Sequence, residues 1–184
     1  RFERFLTDLT IRLFYCEAEN TDQTIQDSLR ELGTFLDMDR VVLFIADSDG
    51  KAIKYQHIYA KCEQYGEPPA TSIKTLPFLT QQLRLKKTVV INSIHELPEK
   101  AIHEQNHMAK FGIKSVLVLP MIFRGITIGG CSFASMSREC IWDPELVDCL
   151  RVPVACFCQT FAHQRHIEEL SGTLSEIRLL KDRL

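Results

Sequence analysis

No apolar run in this sequence approaches the roughly twenty residues that cross a bilayer, and the opening Arg1-Phe2-Glu3-Arg4 is not a signal segment. No membrane association is expected, and the cytoplasm is the expected compartment. Nor is there a surplus of either charge: 22 Lys and Arg face 24 Asp and Glu, for a net charge of -2 and a pI near 6.3. Neutralising phosphates takes a cluster of cations on one face, so direct nucleic-acid contact is not expected. Seven cysteines form an odd set without regular spacing, and Cys156-Phe157-Cys158 is C-x-C rather than C-x-x-C. This excludes a secreted disulfide framework and a zinc ribbon; reduced thiols, mostly small core residues, and no metal or other cofactor are the expectation. Also missing is a Gly-rich turn after the first β-like run, which removes a dinucleotide-binding fold. There is no initiator Met, and Leu184 falls inside a helical pattern, so one part of a longer protein is expected.

What is present suits one domain of ordinary size plus an extension: 184 residues, 45% hydrophobic and 25% charged. Phe2, Phe5, Leu6, Leu9 and Leu13 recur at three and four residue steps, which predicts a helix to about Cys16. A second helix, capped by Thr21 or Asp22, carries Ile25, Leu29, Leu32, Phe35 and Leu36. Val41 to Ala46, the turn signal Asp47-Ser48-Asp49-Gly50, and the alternation of Ile53, Tyr55, His57 and Tyr59 read as a β-hairpin. Residues 61 to 75, with Gly66, Pro68 and Pro69, read as a loop. Pro77 opens a helix, Thr88 to Ile91 is a strand, and Pro98 starts a helix of about 13 residues ended by Gly112. Val116 to Leu119 and Ile126 to Ala134 flank Arg124-Gly125 as a second hairpin, whose Gly129-Gly130 pair permits a bulge or close backbone approach. Pro144 begins a long helix, and Ile167, Leu170, Leu174 and Ile177 keep heptad steps with Lys181 in the seam, which predicts a coiled coil. Hairpins at both ends argue for an α+β fold: an antiparallel sheet of about six strands, helices on both faces, and a long C-terminal helix.

Four segments in this order are hard to obtain by chance. Asp39-Arg40-Val41 leads into the first strand and Asp49-Gly50 marks its turn; Val89-Val90-Ile91-Asn92-Ser93-Ile94 follows a basic helix end. Phe111-Gly112-Ile113-Lys114-Ser115-Val116-Leu117-Val118-Leu119-Pro120 is the most specific, and Gly125-Ile126-Thr127-Ile128-Gly129-Gly130-Cys131-Ser132-Phe133 precedes Trp142-Asp143-Pro144-Glu145-Leu146. Together they resemble the GAF family of sensory domains over about residues 5 to 165, giving residues 1–165 as sensor and 166–184 as signalling helix. The arm Glu176 to Leu184 resembles the linker before the ATPase domain of sigma-54-dependent transcriptional activators; histidine kinases and cyclic-di-GMP enzymes use similar helices after GAF domains.

The resemblance implies a non-catalytic sensor that binds a small-molecule effector, pairs as a homodimer through Ile167, Leu170, Leu174 and Ile177, and acts on an output domain of the same chain. It implies a pocket between one sheet face and inserted short helices, receiving Phe44, Tyr55, His57 and Tyr59. Apolar walls with polar tips are how such pockets orient ligands, although a His alternating with two Tyr on an inward face is more often a hydrogen-bonded core cluster. Phe78, Phe111, Ser115, Leu117, Cys131 and Phe133 are further candidates, each also readable as core. His103 and His107 sit four apart on a helix, a metal-compatible spacing, yet the polar residues around them suggest a solvated face. The family's bilin-binding Asp-Ile-Pro motif and nearby Cys-His pair are missing, as is its cyclic-nucleotide signature. Two rival classes are a cysteine-based methionine sulfoxide reductase using Cys62 or Cys131, and a dimerisation module with a filled interior.

Overall fold

The computed structural model describes residues 2–46, 52–66, 68, 71–72 and 74–181, with side chains described for all of these except 18, 71, 72 and 165–181. The predicted Asp47-Ser48-Asp49-Gly50 turn lies outside the described residues.

Two amphipathic helices come first, α1 (Phe2–Phe14) and α2 (Thr21–Phe35). Leu6, Leu9 and Leu13 are the buried stripe of α1, and Ile25, Leu29 and Leu32 that of α2. The N-cap of α2 is Asn20, and Thr21 instead donates its hydroxyl to the Glu17 carbonyl. β1 (Arg40–Ala46) and β2 (Ala52–Ala60) follow, then the two-residue β3 (Thr71–Ser72), α3 (Pro77–Arg84) and β4 (Val89–Ile91). Pro77 sits in the first turn of α3, where its missing N–H costs no intrahelical bond. The stretch expected as one helix after Pro98 is a 3-10 turn, Glu99–Ala101, running into α4 (Ile102–Lys110). Gly112, at φ 68°, ends it in the left-handed region that favours glycine.

β5 (Ser115–Phe123) and β6 (Ile126–Ser135) form a tight hairpin. Arg124 and Gly125 both take positive φ, the demand of a type I′ turn whose twist matches that of the strands. The six strands pair in the order β3-β2-β1-β6-β5-β4, every pairing antiparallel. α5 (Pro144–Lys181) spans 38 residues and continues through Pro153, a length of about 57 Å at 1.5 Å per residue. The helix is continuous across 165/166; the side chains of Ile167, Leu170, Leu174 and Ile177 lie outside the described residues.

Alternation along the strands sorts apolar side chains onto two faces. Val41, Leu43, Ile45, Leu117, Leu119, Met121, Cys131 and Phe133 meet α1, α2 and α5 in one core, which includes Leu150, Val154 and Phe157. Val42, Phe44, Val89, Ile91, Val118 and Ala134 form the second, with Leu83 of α3 and Met108 of α4. Helices therefore cover both faces, as expected. The predicted close approach at Gly129-Gly130 is also present: a Cβ on Gly129 would stand 2.0 Å from the Phe44 carbonyl oxygen, and one on Gly130 2.7 Å from the Phe44 ring.

Candidate functional site: a cavity under the short helices

Between the second face of the sheet and α3 with α4 lies a cavity of about 110 Å³. Its floor comes from alternate residues of five strands: Val42 and Phe44, Ile53 and Tyr55, Val89 and Ile91, Val116 and Val118, Ser132 and Ala134. Its roof is Leu76, Phe78 and Leu79 at the start of α3, and Glu104, His107 and Met108 of α4. The walls are mainly apolar, as small-molecule sites are, with a few polar groups set among them.

Two of those polar groups carry charge and are withdrawn from water. Arg40, the first residue of β1, is 8% exposed, and Glu104 of α4 is 3% exposed. The Arg40 Nη1 donates to the carbonyls of Tyr65 (3.5 Å) and Gly66 (3.4 Å), while its Nε is buried without a hydrogen-bond partner. Glu104 Oε1 accepts the Leu79 backbone N–H at 3.1 Å, tying α4 to the first turn of α3, and Oε2 is buried without a partner. Among the described residues no ion pair joins the two. Burial lowers the pKa of Arg40, with Tyr55 acting in the opposite direction; a guanidinium nevertheless stays protonated at neutral pH. His107 packs its ring 4.7 Å from that of Phe111. Burial, then the Arg40 charge, holds its pKa below the ordinary value, so it is neutral at pH 7. On its other side Arg40 borders an outer hollow formed by Glu63–Gly66, Phe111, Gly112 and Met136.

Of the residues expected in the pocket, Phe44, Tyr55 and Phe78 line the cavity and Phe111 flanks it. His57 and Tyr59 do not. A bulge explains the difference: Leu43 pairs with His57 but Phe44 pairs with Tyr55, so Gln56 is an extra residue and the alternation of β2 reverses across it. His57 thus faces α2, its Nε2 3.4 Å from an Asp22 carboxylate oxygen. The Tyr59 ring lies over Gly33, where an added Cβ would come within 2.2 Å of it. Leu117, Cys131 and Phe133 also belong to the α1, α2 and α5 face. Ser115 is a tie rather than a wall: its hydroxyl donates to the Asn92 carbonyl and accepts the Cys140 N–H at 2.7 Å.

His103 is exposed while His107 faces the cavity, so the pair does not converge. No group of three or more His, Cys, Asp or Glu that could hold a metal occurs among the described residues. Sequence reasoning missed Arg40, Glu104, Met108, Val118 and Ser132 as cavity residues. For Glu104 a signal existed: it stands four residues before Met108, in the inward stripe of a helix that is otherwise polar.

Next to Arg40 is a second buried polar group with a different task. Asp39 is 1% exposed, and its Oδ2 accepts the backbone N–H of Met136 and Ser137 and the Ser137 hydroxyl, each at 2.7 Å. Burial pushes its pKa up, but these three donors outweigh that and hold it below the ordinary carboxylate value. Asp39 thereby fixes the segment leading from β6 toward α5.

The model of the GAF domain matches residues 20–155, most of the chain. No curated protein matches it. Among solved structures it is similar to the phycocyanobilin-bound GAF domain from a cyanobacterial phytochrome, at 15% identity and a TM-score of 0.73, covering 91% of this chain and 97% of that one. It is also similar to the GAF domain from Acinetobacter phosphoenolpyruvate-protein phosphotransferase, at 9% identity and a TM-score of 0.68, covering 92% and 98%. A third is the blue-light absorbing form of the Thermosynechococcus elongatus PixJ GAF domain, at 16% identity and a TM-score of 0.62, covering 86% and 95%. At these identities the likeness speaks for the fold alone, and with the sequence match over residues 20–155 the chain belongs to the GAF domain family.

Proposed function

We propose that this chain is a non-catalytic sensory domain that binds a small molecule in the cavity beneath α3 and α4 and passes the change through α5 to an output domain. The observation that carries this reading is the pair of buried, incompletely partnered charges, Arg40 and Glu104, in the wall of one otherwise apolar cavity. Leaving such groups unsatisfied costs a few kcal/mol. A fold that keeps two beside an open space is arranged to meet something there. In this reading α5 pairs with its counterpart in a homodimer, and a ligand shifts the pairing by its differential affinity for two arrangements. The resemblance of Glu176 to Leu184 to the linker of sigma-54-dependent activators favours an ATPase of that type as output, in a transcriptional regulator; residues 182–184 lie outside the described structure. Reduced cysteines suit the cytoplasm as the compartment, and no described helix is long and apolar enough to cross a membrane.

A bilin, such as the phycocyanobilin bound in one of the similar structures, does not fit this cavity. No cysteine is among the lining residues to anchor it, and about 110 Å³ is far below what a linear tetrapyrrole fills. Cysteine-based catalysis also lacks support. Cys131 is fully buried on the opposite face with its thiol pKa pushed far up by burial, and Cys62 is exposed and outside the lining. The test is a thermal-shift screen of the purified chain against a metabolite library, repeated on Val118→Trp, which fills the cavity floor. A ligand at 100 times its Kd stabilises the native state by about 2.7 kcal/mol, a shift of roughly 5–10 °C in a domain of this size. The filled variant should fold and lose the shift. If every stabilising compound acts equally on Val118→Trp, the cavity is not the sensory site.

A further inference from the structure

The geometry points to a small zwitterion as the occupant, an α-amino acid with an apolar side chain, its carboxylate on the Arg40 guanidinium and its ammonium on the Glu104 carboxylate. This rests on the reading of the cavity as a ligand site and goes on to name the ligand's chemistry. The first argument is charge. Among the described residues one cation and one anion line the same small apolar space, and no ion pair joins them. A singly charged ligand would satisfy one and leave the other buried and unmet, while adding net charge to a medium of low polarity. A neutral apolar ligand would satisfy neither. A molecule carrying both signs gives each group an opposite charge and keeps the site neutral. His107 adds no third charge, since burial and the neighbouring Arg40 keep it deprotonated at pH 7.

The second argument is that both groups are already held. The Arg40 Nη1 is fixed on the carbonyls of Tyr65 and Gly66, and Glu104 Oε1 on the Leu79 N–H. Each therefore keeps one end anchored while the other, Nε or Oε2, has no partner. Anchored charges bind with less loss of side-chain freedom than mobile ones. The third argument is size. At 10–15 Å³ of such space per water, the cavity's 110 Å³ corresponds to roughly seven to eleven waters, so the ligand has on the order of ten non-hydrogen atoms. Phe44, Ile91, Met108 and Val118 supply an apolar wall for its side chain.

The test compares, for each of several apolar bodies, the zwitterion with its singly charged and neutral forms on the wild-type chain, by calorimetric titration and thermal shift. L-Valine, L-leucine, L-isoleucine, L-methionine and L-phenylalanine form the zwitterion set, each with its deaminated acid, its decarboxylated amine and the corresponding alcohol; for leucine these are 4-methylpentanoate, 3-methylbutylamine and 4-methylpentan-1-ol. At least one amino acid should bind, and its singly charged and neutral counterparts should bind roughly tenfold or more weakly. Glu104→Gln should erase the advantage over the carboxylate analogue, and Arg40→Gln the advantage over the amine, with far-ultraviolet circular dichroism confirming that each variant is folded. If either variant fails to fold, the wild-type comparison decides alone. An analogue that matches the amino acid within about threefold, or that binds when no amino acid does, overturns the zwitterion and leaves the cavity a ligand site. If no compound of either set binds, the zwitterion is wrong; if the library screen on the filled variant fails as well, the ligand site falls with it.

Discussion

The two faces of the sheet are built from the same alternating strands and are finished in opposite ways. On one, α1, α2 and α5 close over a solid core in which Phe133, Phe157, Leu150, Leu29 and Leu32 are all 0% exposed. On the other, short helices leave about 110 Å³ open, with Arg40 of β1 and Glu104 of α4 at its wall. Long helices present a continuous apolar stripe and can fill a face, whereas α3 and α4, at eight and nine residues, present too little. The contrast separates the labours of the fold: one face holds it together and the other is kept incomplete.

Paired truncations give the sharpest break between them. Phe157→Ala in the solid core should cost about 4 kcal/mol, the loss expected when a fully buried aromatic leaves a hole. Phe78→Ala at the half-buried roof should cost less than about 1.5 kcal/mol, because its site already borders open space. Urea denaturation of both variants checks this, and equal losses would mean that the cavity face is packed as tightly as the other. Next in size is the Asp39 tie. Asp39→Ala leaves two backbone donors and a hydroxyl without their acceptor and should cost about 3 kcal/mol at pH 7. Its pKa is depressed in the folded state, so its stabilisation is present above the unfolded carboxylate pKa of about 3.9 and is lost as pH falls through the folded value. The wild-type advantage over Asp39→Ala should therefore shrink between about pH 4 and the acid limit, measured as the difference in melting temperature. The smallest effect, and the one of opposite sign, belongs to Glu104→Leu. Replacing a buried, half-satisfied carboxylate by an apolar group of similar volume should leave stability unchanged or raise it by up to about 2 kcal/mol, while abolishing ligand-induced shifts. A loss above about 2 kcal/mol would make Glu104 a structural tie to Leu79 and nothing more.

Much of this architecture was legible in the chain. The three and four residue steps of Leu6, Leu9 and Leu13, the Pro77 start, and the Arg124-Gly125 turn are local signals, and the structure follows them. The four motifs carried the family because each sits where geometry leaves few options, as at Gly129 against the Phe44 carbonyl. The site was less legible, for two physical reasons. Assigning His57 and Tyr59 to the cavity assumed unbroken alternation, and the extra residue Gln56 reverses the face without any Gly or Pro to announce it. Arg40 and Glu104 were passed over because charged residues are ordinarily solvated; their burial depends on chain segments distant in sequence, Tyr65 and Gly66 for one and Leu79 for the other.

One adjacency links the cavity to the stretch that follows β6. Asp39 grips Met136 and Ser137 on the way to α5, and the next residue, Arg40, faces the cavity. A single peptide unit, rigid about its own C–N bond, is all that separates the two grips. The cavity wall and the stretch that follows β6 are thus held by neighbouring residues, so neither can be displaced far without moving the other.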